Sequence, residues 1–349
     1  MKSALISREY MMVVGVSFDS YCVRPSGLIL MERRAQPKIN PLIVIAFGIL
    51  AVSTASIFIR YAQVYVPSIV ITVYRLSLAT LFLAPIALTK KRSELSTITR
   101  CELVLALLSG IFLALHFAAW IMSLEYTSVA SSVVLVSTVP LWVAILSPFL
   151  LKEPLTKRVF IGLGLVLVGV LVVGLSDSCT WDSGYLVCPS INDFIRKEAF
   201  VGDTLALAGA MAAAFYIIIG RRLRTRISLI SYIFIVYGMA AVVAVVLMFG
   251  SGSSPFGYPP TAYLWLLLIA LIPQLLGHST FNWALGYLSA AYVSIALIGE
   301  PIGSMMLAYI FLDEVPTTMK IVGAILILTG IFIASLGEAD RNVDLSVVE

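Results

Sequence analysis

Apolar residues run along this chain in long blocks, without the two-residue alternation of half-buried strands. Ten blocks approach the roughly 20 residues a helix needs to cross a bilayer. They lie at 42–60, 68–88, 103–123, 128–150, 158–175, 203–220, 229–249, 262–285, 289–311 and 318–336. Uniform hydrophobicity favours helices over a barrel, so the pattern predicts an all-α membrane protein with ten transmembrane helices. Most connections are short and carry charge or turn residues, such as KKRSE at 90–94 and RRLRTR at 221–226. The exception is the long stretch 176–200.

The two halves resemble each other. Shifted by 161 positions, Leu124, Tyr126, Ser128 and Ala130 fall on Leu285, Tyr287, Ser289 and Ala291. Pro140, Glu153, Thr156, Gly162 and Gly169 fall on Pro301, Glu314, Thr317, Gly323 and Gly330. Leucine matches between greasy helices mean little; registered Pro, Glu and paired Gly are harder to obtain by chance. Five spans per half is an odd number, so the second half enters from the opposite face. The chain is thus read as two inverted five-helix repeats around a central cavity, an arrangement found in transporters with the substrate near the bilayer midplane. The boundaries are an N-terminal cytoplasmic tail (1–41), repeat 1 (42–175), an external loop (176–200), repeat 2 (201–337) and a C-terminal cytoplasmic tail (338–349).

Composition narrows the function. Of 349 residues 60% are hydrophobic and 12% charged, with a mean hydropathy of +1.02. A soluble chain of this size could not hide so much apolar surface, which excludes a soluble enzyme, a nucleic-acid-binding module and a disordered scaffold. The net charge of +4 then reads as orientation, with no nucleic-acid partner. Lys and Arg crowd the tail, the 90–100 and 221–226 clusters and the 152–158 turn; only Arg60, Arg196, Lys197 and Lys320 fall opposite. The positive-inside bias puts both termini in the cytoplasm of a multi-pass plasma or inner-membrane protein. Cys179 and Cys188 then share the oxidising side, where a disulfide and two free thiols are equal alternatives. Cys22 and Cys101 read as incidental. Met31 opens a compact basic segment, MERRAQPKINPL, and is an alternative start to Met1.

Several motifs together resemble one family. YRLSLA around Arg75, KEPLT after the fourth span, LDEVPT after the ninth, the Glu300-Pro301 pair and the closers GLGLVLVG and GAILILTG are similar to EamA-type drug/metabolite transporters over about residues 42–337. The resemblance implies a basket of ten helices, spans 1, 3, 4, 6, 8 and 9 lining its cavity and 5 and 10 peripheral. It also implies amino acids, purine-like compounds or other small metabolites as substrates, often moved outward. The 176–200 loop and the N-terminal extension depart from the family pattern.

Polar groups inside a bilayer are costly and tend to face a cavity or a partner. Glu300, beside the helix-loosening Pro301, is the leading candidate for coupling: a carboxyl in low dielectric suits proton uptake and release, against a silent structural hydrogen bond. Gln274, His278 and Asn282 follow at i, i+4 and i+8 as a polar stripe, and His116 and Trp120 stand at i, i+4 on the third span. These five, with Tyr216, are the candidate substrate contacts, suited to a zwitterionic or aromatic solute. His116 and His278 lie one place out of repeat register. Arg75 has an anion-site reading and a structural-charge reading; the second is favoured. GAMAAA at 209–214 reads as a close-packing face, and Glu153 and Glu314 as caps or interface anchors.

The reading is a secondary transporter, an exporter or exchanger of a small organic metabolite by alternating access, with protons as candidate coupling partner and no enzyme activity. No cofactor or metal site is expected, and a homodimer is compatible with the sequence. No Walker motif, GxSxG or HExxH occurs, which disfavours ATP-driven transport and an intramembrane enzyme. A non-transporting receptor or structural protein is the other alternative, one that would not require the repeat.

Overall fold

The structure is a computed structural model of the chain. It describes residues 41–150, 157–176, 179–182, 185–187, 197–288 and 299–347, with single positions at 290, 293 and 297. Cys22, Met31, Glu153, Thr156, Cys188, Ser289 and Ala291 lie outside the described residues.

The first span is α1 (Pro41–Ser53) and α2 (Ala55–Gln63), interrupted at Thr54. Helix α3 (Ser68–Lys90) follows Pro67, the short α4 (Arg92–Thr97) leads on, and α5 (Arg100–Tyr126) is the third long apolar stretch. The fourth is broken into α6 (Val129–Val136) and α7 (Val139–Leu150). Pro140 explains the break, since it lacks an N–H and its ring excludes the carbonyl one turn back. Ser137 and Thr138 hydroxyls close on the carbonyls of Val133 and Leu135, each at 2.7 Å, so the exposed backbone stays bonded. Next come α8 (Lys157–Ser176), α9 (Glu198–Arg224) and α10 (Leu229–Gly250). The eighth block is α11 (Pro260–Ile269), a π-helical turn at Ala270–His278 and α12 (Ser279–Ala284). Pro273 sits inside the π segment, where the missing N–H favours the wider turn. Helices α13 (Gly299–Leu312) and α14 (Thr318–Val347) complete the chain.

Among the described residues seven stretches are long and apolar enough to cross a membrane, coinciding with blocks one to four and six to eight; three shorter apolar helices, Phe160–Ser176, Gly299–Leu312 and Thr318–Ile333, fall in the other blocks. Two features differ from expectation. The 176–200 loop contains a hairpin, β1 (Thr180–Asp182) paired antiparallel with β2 (Tyr185–Val187), with Trp181 opposite Leu186; its Thr, Trp, Tyr and Val suit a pleated strand. Helix α14 runs on to Val347, so the polar residues 338–347 are helical. Cys101, read as incidental, is disulfide-bonded, as is Cys179.

The halves interlock instead of sitting side by side. Contacts between the halves pair α5 with α9 and with α10, α8 with α14, α3 with α10, the π segment with α1, and α6 with α13. The repeated glycines account for one of these. A Cβ on Gly330 would lie 2.6 Å from the Gly162 carbonyl oxygen, and one on Gly169 would lie 2.8 Å from that of Gly323. The four repeat-matched glycines thus face each other crosswise, and α8 and α14 run antiparallel with their backbones in contact. GAMAAA likewise packs on the third span, with Gly209 near the His116 carbonyl and the Trp120 amide.

Glutamates tie the helix ends. Glu314 pairs with Arg60 at 3.0 Å and accepts from the Val129 N–H at 2.9 Å, capping α6 from the other half. Glu125 accepts from the Ser68 N–H and hydroxyl. At the opposite end, Glu94 accepts from the Ser228 N–H and hydroxyl, both at 2.6 Å, at the start of α10. A carboxylate at a helix N-terminus answers its unpaired N–H groups and positive dipole end.

Two outcomes follow from this packing. Gly330→Leu should lower the thermal midpoint of detergent-solubilised protein, at a cost of about 1–3 kcal/mol for overpacking. Gly164→Leu should leave it unchanged, because a side chain there would enter open space. Burial pushes the Glu94 carboxyl up, but the Ser228 hydroxyl and N–H, with Lys91 beside it, outweigh this and hold it below the usual carboxylate range. Its stabilisation is therefore complete above the ordinary carboxylate pKa of 4.5 and fades as pH falls through the lowered folded value. Glu94→Gln should flatten that acid limb in a melting-versus-pH series.

Candidate functional site

A cavity of about 60 Å³ lies within the bundle, and five spans contribute to it. The third supplies His116 and Trp120, the fourth Val139 and Pro140, the sixth Tyr216, the eighth His278 and Asn282, and the ninth Glu300. The first span supplies none of its lining residues, although the family resemblance implied one. Six sequence candidates therefore meet in one place: His116, Trp120, Tyr216, His278, Asn282 and Glu300. Gln274 does not line the cavity; it is buried behind it, one turn along the π segment. Val139 and Glu300, which match in the repeat, both line the cavity, and each stands directly before a proline in the first turn of its helix. Glu300 thus sits in the first turn of α13, where the helix dipole favours a negative charge.

Each wall is held by a bond to another span. The His116 ring accepts no proton from Gly209; its Nδ1 donates to that carbonyl at 2.9 Å, which leaves Nε2 as an acceptor in the neutral ring. The ring lies nearly parallel to the Trp120 indole, 8° apart with centroids 6.2 Å apart. His278 comes within 6.5 Å of His116 despite the mismatch in repeat register, and packs edge-on against Phe117 at 5.0 Å. Tyr216 donates to Asn282 Oδ1 at 2.7 Å, and Asn282 Nδ2 donates to the Tyr237 hydroxyl at 3.3 Å and the His278 carbonyl at 2.9 Å. Asn282 and Tyr216 are thus a strut joining the sixth, seventh and eighth spans as well as a cavity wall. Ser53 bonds within its own helix, to the Ile49 carbonyl at 2.8 Å.

Arg75 stands beside this cavity, fully buried. Its Nε donates to Gln274 Oε1 at 2.6 Å, and its guanidinium carbon lies 3.9 Å from the Phe117 ring centroid and 5.7 Å from that of Trp120. It forms no ion pair among the described residues, and Nη1 and Nη2 have no hydrogen-bond partner. Phe117 and Tyr237 were missed in the sequence. Phe117 follows His116 directly, but a phenylalanine in an apolar helix carries no signal of facing a cation. Tyr237 could have been noticed as a buried hydroxyl in a span. Among the described residues no group of three His, Cys, Asp or Glu could hold a metal.

The basic cluster has a structural duty. Arg221 donates to the Leu285 carbonyl at 2.8 Å and Arg224 to the Asn282 carbonyl at 2.9 Å, closing the orphan carbonyls at the end of α12. Leu285 also lines the cavity. The cavity therefore reaches towards the end that carries the basic clusters, away from the Arg60–Glu314 pair.

Comparison with known proteins places this architecture. The model of the EamA-like transporter family matches residues 40–175 and 200–336. The chain is 24% identical over 276 residues to the pseudopaline exporter CntI of Pseudomonas aeruginosa (strain UCBPP-PA14), covering 79% of this chain and 88% of that one. It is 24% identical over 224 residues to the uncharacterized transporter YyaM of Bacillus subtilis (strain 168), covering 62% and 68%. A solved crystal structure superposes with a TM-score of 0.59 at 16% identity, covering 85% of this chain and 96% of that one; it shares the fold.

The strut makes a separable prediction. Tyr216→Phe removes the hydroxyl that Asn282 Oδ1 accepts, and should cost about 1 kcal/mol of stability, read as a lower melting midpoint. Tyr216→Phe with Asn282→Leu should lose less than the sum of the two single changes, because the pair acts as a unit.

Proposed function

Since the chain belongs to the EamA-like transporter family, we propose that it is a secondary transporter that moves a small organic metabolite out of the cell by alternating access. The observation that carries this reading is the cavity itself. In a chain whose outward faces are apolar, two histidines, a tryptophan, a tyrosine, an asparagine and a glutamate from both halves converge on one space. Intramembrane polar groups gathered in this way are costly unless a solute uses them.

Ten spans in two inverted repeats are supported by three features. Equivalent helices α8 and α14 cross antiparallel through repeat-matched glycines. The matched residues Val139 and Glu300 both fall in the first turn of a helix, α7 and α13, directly before a proline. Contacts exchange in kind, since α5 against α9 is mirrored by the π segment against α1. The two halves then rock about the substrate, as inverted repeats do. With the basic clusters cytoplasmic, the cavity lies towards the cytoplasm. The outer end is closed between halves by Arg60–Glu314 and by Lys320 donating to Ser128 at 2.9 Å. This is the geometry of an inward-facing carrier.

Glu300 is the coupling group in this scheme. It lines the cavity, and Arg75, His116, His278, Tyr216 and Tyr237 are titratable groups around the same centre. Proton and substrate exclude each other at Glu300, which yields exchange of one for the other. Full-length protein in liposomes loaded with a defined mixture of amino acids and purines tests the transport reading: protein-dependent release of at least one solute is expected, and release of none sinks it. Glu300→Gln should abolish accumulation driven by a pH gradient while sparing much of the exchange down a concentration gradient. Unaltered pH-driven accumulation in a well-folded Glu300→Gln protein would reject the coupling role.

A further inference from the structure

The centre of the molecule has a surplus of donors. Arg75 Nη1 and Nη2 are buried and unpartnered, and so is Trp120 Nε1, whose ring stands 5.7 Å from the guanidinium carbon. Gln274 spends its oxygen on Arg75 Nε, so it offers the cluster no further acceptor on that side. A buried guanidinium without an acceptor is among the most costly arrangements in a protein, and inside a bilayer the cost is not relieved by bulk water. Phe117 covers one face of the guanidinium at 3.9 Å, and Gln274 holds Nε. What stays free is the edge carrying Nη1 and Nη2, the fork that matches two oxygens of one planar anion.

We infer that Arg75 is the anion-recognising group of this site, and that the transported solute carries a carboxylate. This rests on the transport reading above and goes beyond it in naming the substrate class. Trp120 and His278 line the cavity and also pack around the Phe117–Arg75 pair, so Arg75 is one side chain behind the wall. A carboxylate reaches it when Trp120 or His278 turns aside. The parallel His116 and Trp120 rings then form an aromatic wall for the rest of the solute. One guanidinium balances one negative charge, which selects a carboxylate over a phosphate monoester carrying nearly two. Glu300, whose charge acts on Arg75 without a bond between them, is left to the ammonium of a zwitterionic solute or to a proton, so these two exclude each other there while Arg75 holds the carboxylate.

The test uses full-length protein in nanodiscs and matched pairs of solutes: L-phenylalanine with L-phenylalaninamide, phenylacetate with phenylacetamide, and hypoxanthine as an uncharged purine. At least one acid should raise the melting temperature, and its amide should need roughly 10- to 100-fold higher concentration for the same shift, the loss expected when a charge-assisted pair becomes neutral. Arg75→Gln should bring acid and amide together, and Arg75→Lys should restore part of the gap, since it keeps the charge without the fork. The acid-to-amide ratio of the unaltered protein needs no variant, so a misfolded Arg75→Gln leaves the proposal testable. Equal response to acid and amide, response to hypoxanthine alone, or no response to either acid overturns it. The same response of Arg75→Gln and the unaltered protein to the acid overturns it as well. Release of hypoxanthine from liposomes that is indifferent to Arg75→Gln would leave transport standing and remove the anion site. Acid-selective binding with no flux of any solute would keep the anion site and remove transport.

Discussion

Inside a bilayer no water is available to satisfy a backbone or side-chain polar group, and the rest of this structure depends on that constraint. Helices answer it along their length but not at their ends, where N–H and carbonyl groups run out of partners. This chain supplies the missing partners from elsewhere in the fold. Glu125, Glu314 and Glu94 cap the starts of α3, α6 and α10, and Arg221 and Arg224 close the end of α12. Because Glu314 and Glu94 reach from one half to the other, the bonds that satisfy helix ends also hold the two halves in register. Charges that a hydropathy scan reads as boundary markers are, in three dimensions, the fastenings between repeats.

The same constraint explains where irregular backbone is found. The fourth span breaks at Ser137–Thr138 and the eighth widens around Pro273, and parts of both segments adjoin the cavity. A proline costs a hydrogen bond wherever it falls in a helix, but beside a polar cavity the freed groups find hydroxyls and neighbouring side chains. Helix breaks and cavity are thus one feature. Close packing completes the frame, since glycines let α8 lie directly on α14 and Gly277 meet Val52, leaving the looser, polar space to the centre.

Within that centre, side chains divide into those that are bonded and those that are not. Tyr216, Asn282 and Tyr237 bond one another and fix three spans. His116 is oriented by Gly209. Arg75 has only its Nε engaged. A site of this form has a rigid polar frame and one under-used cation, and the physical contrast between them is the basis for assigning recognition to Arg75.

Much was legible in the chain alone. The apolar blocks, the basic clusters and the shift of 161 positions set the helical class, the span positions and the matched halves, because bilayer thickness fixes helix length and a duplicated fold must keep its prolines and close-packing glycines. Polar residues in spans announced six of the cavity's members, because burying a polar group in lipid without use is costly. Side-chain partners were not legible. That Gln274 serves Arg75 instead of the cavity, that His116 and His278 approach across mismatched register, and that Phe117 supports a cation were decided by how helices distant in sequence rotate against one another. The hydrophobic effect that makes a span is indifferent to that rotation; the π turn at Pro273, the glycine contacts and the fit of each hydrogen bond across halves determine it, and they exist only in the folded bundle.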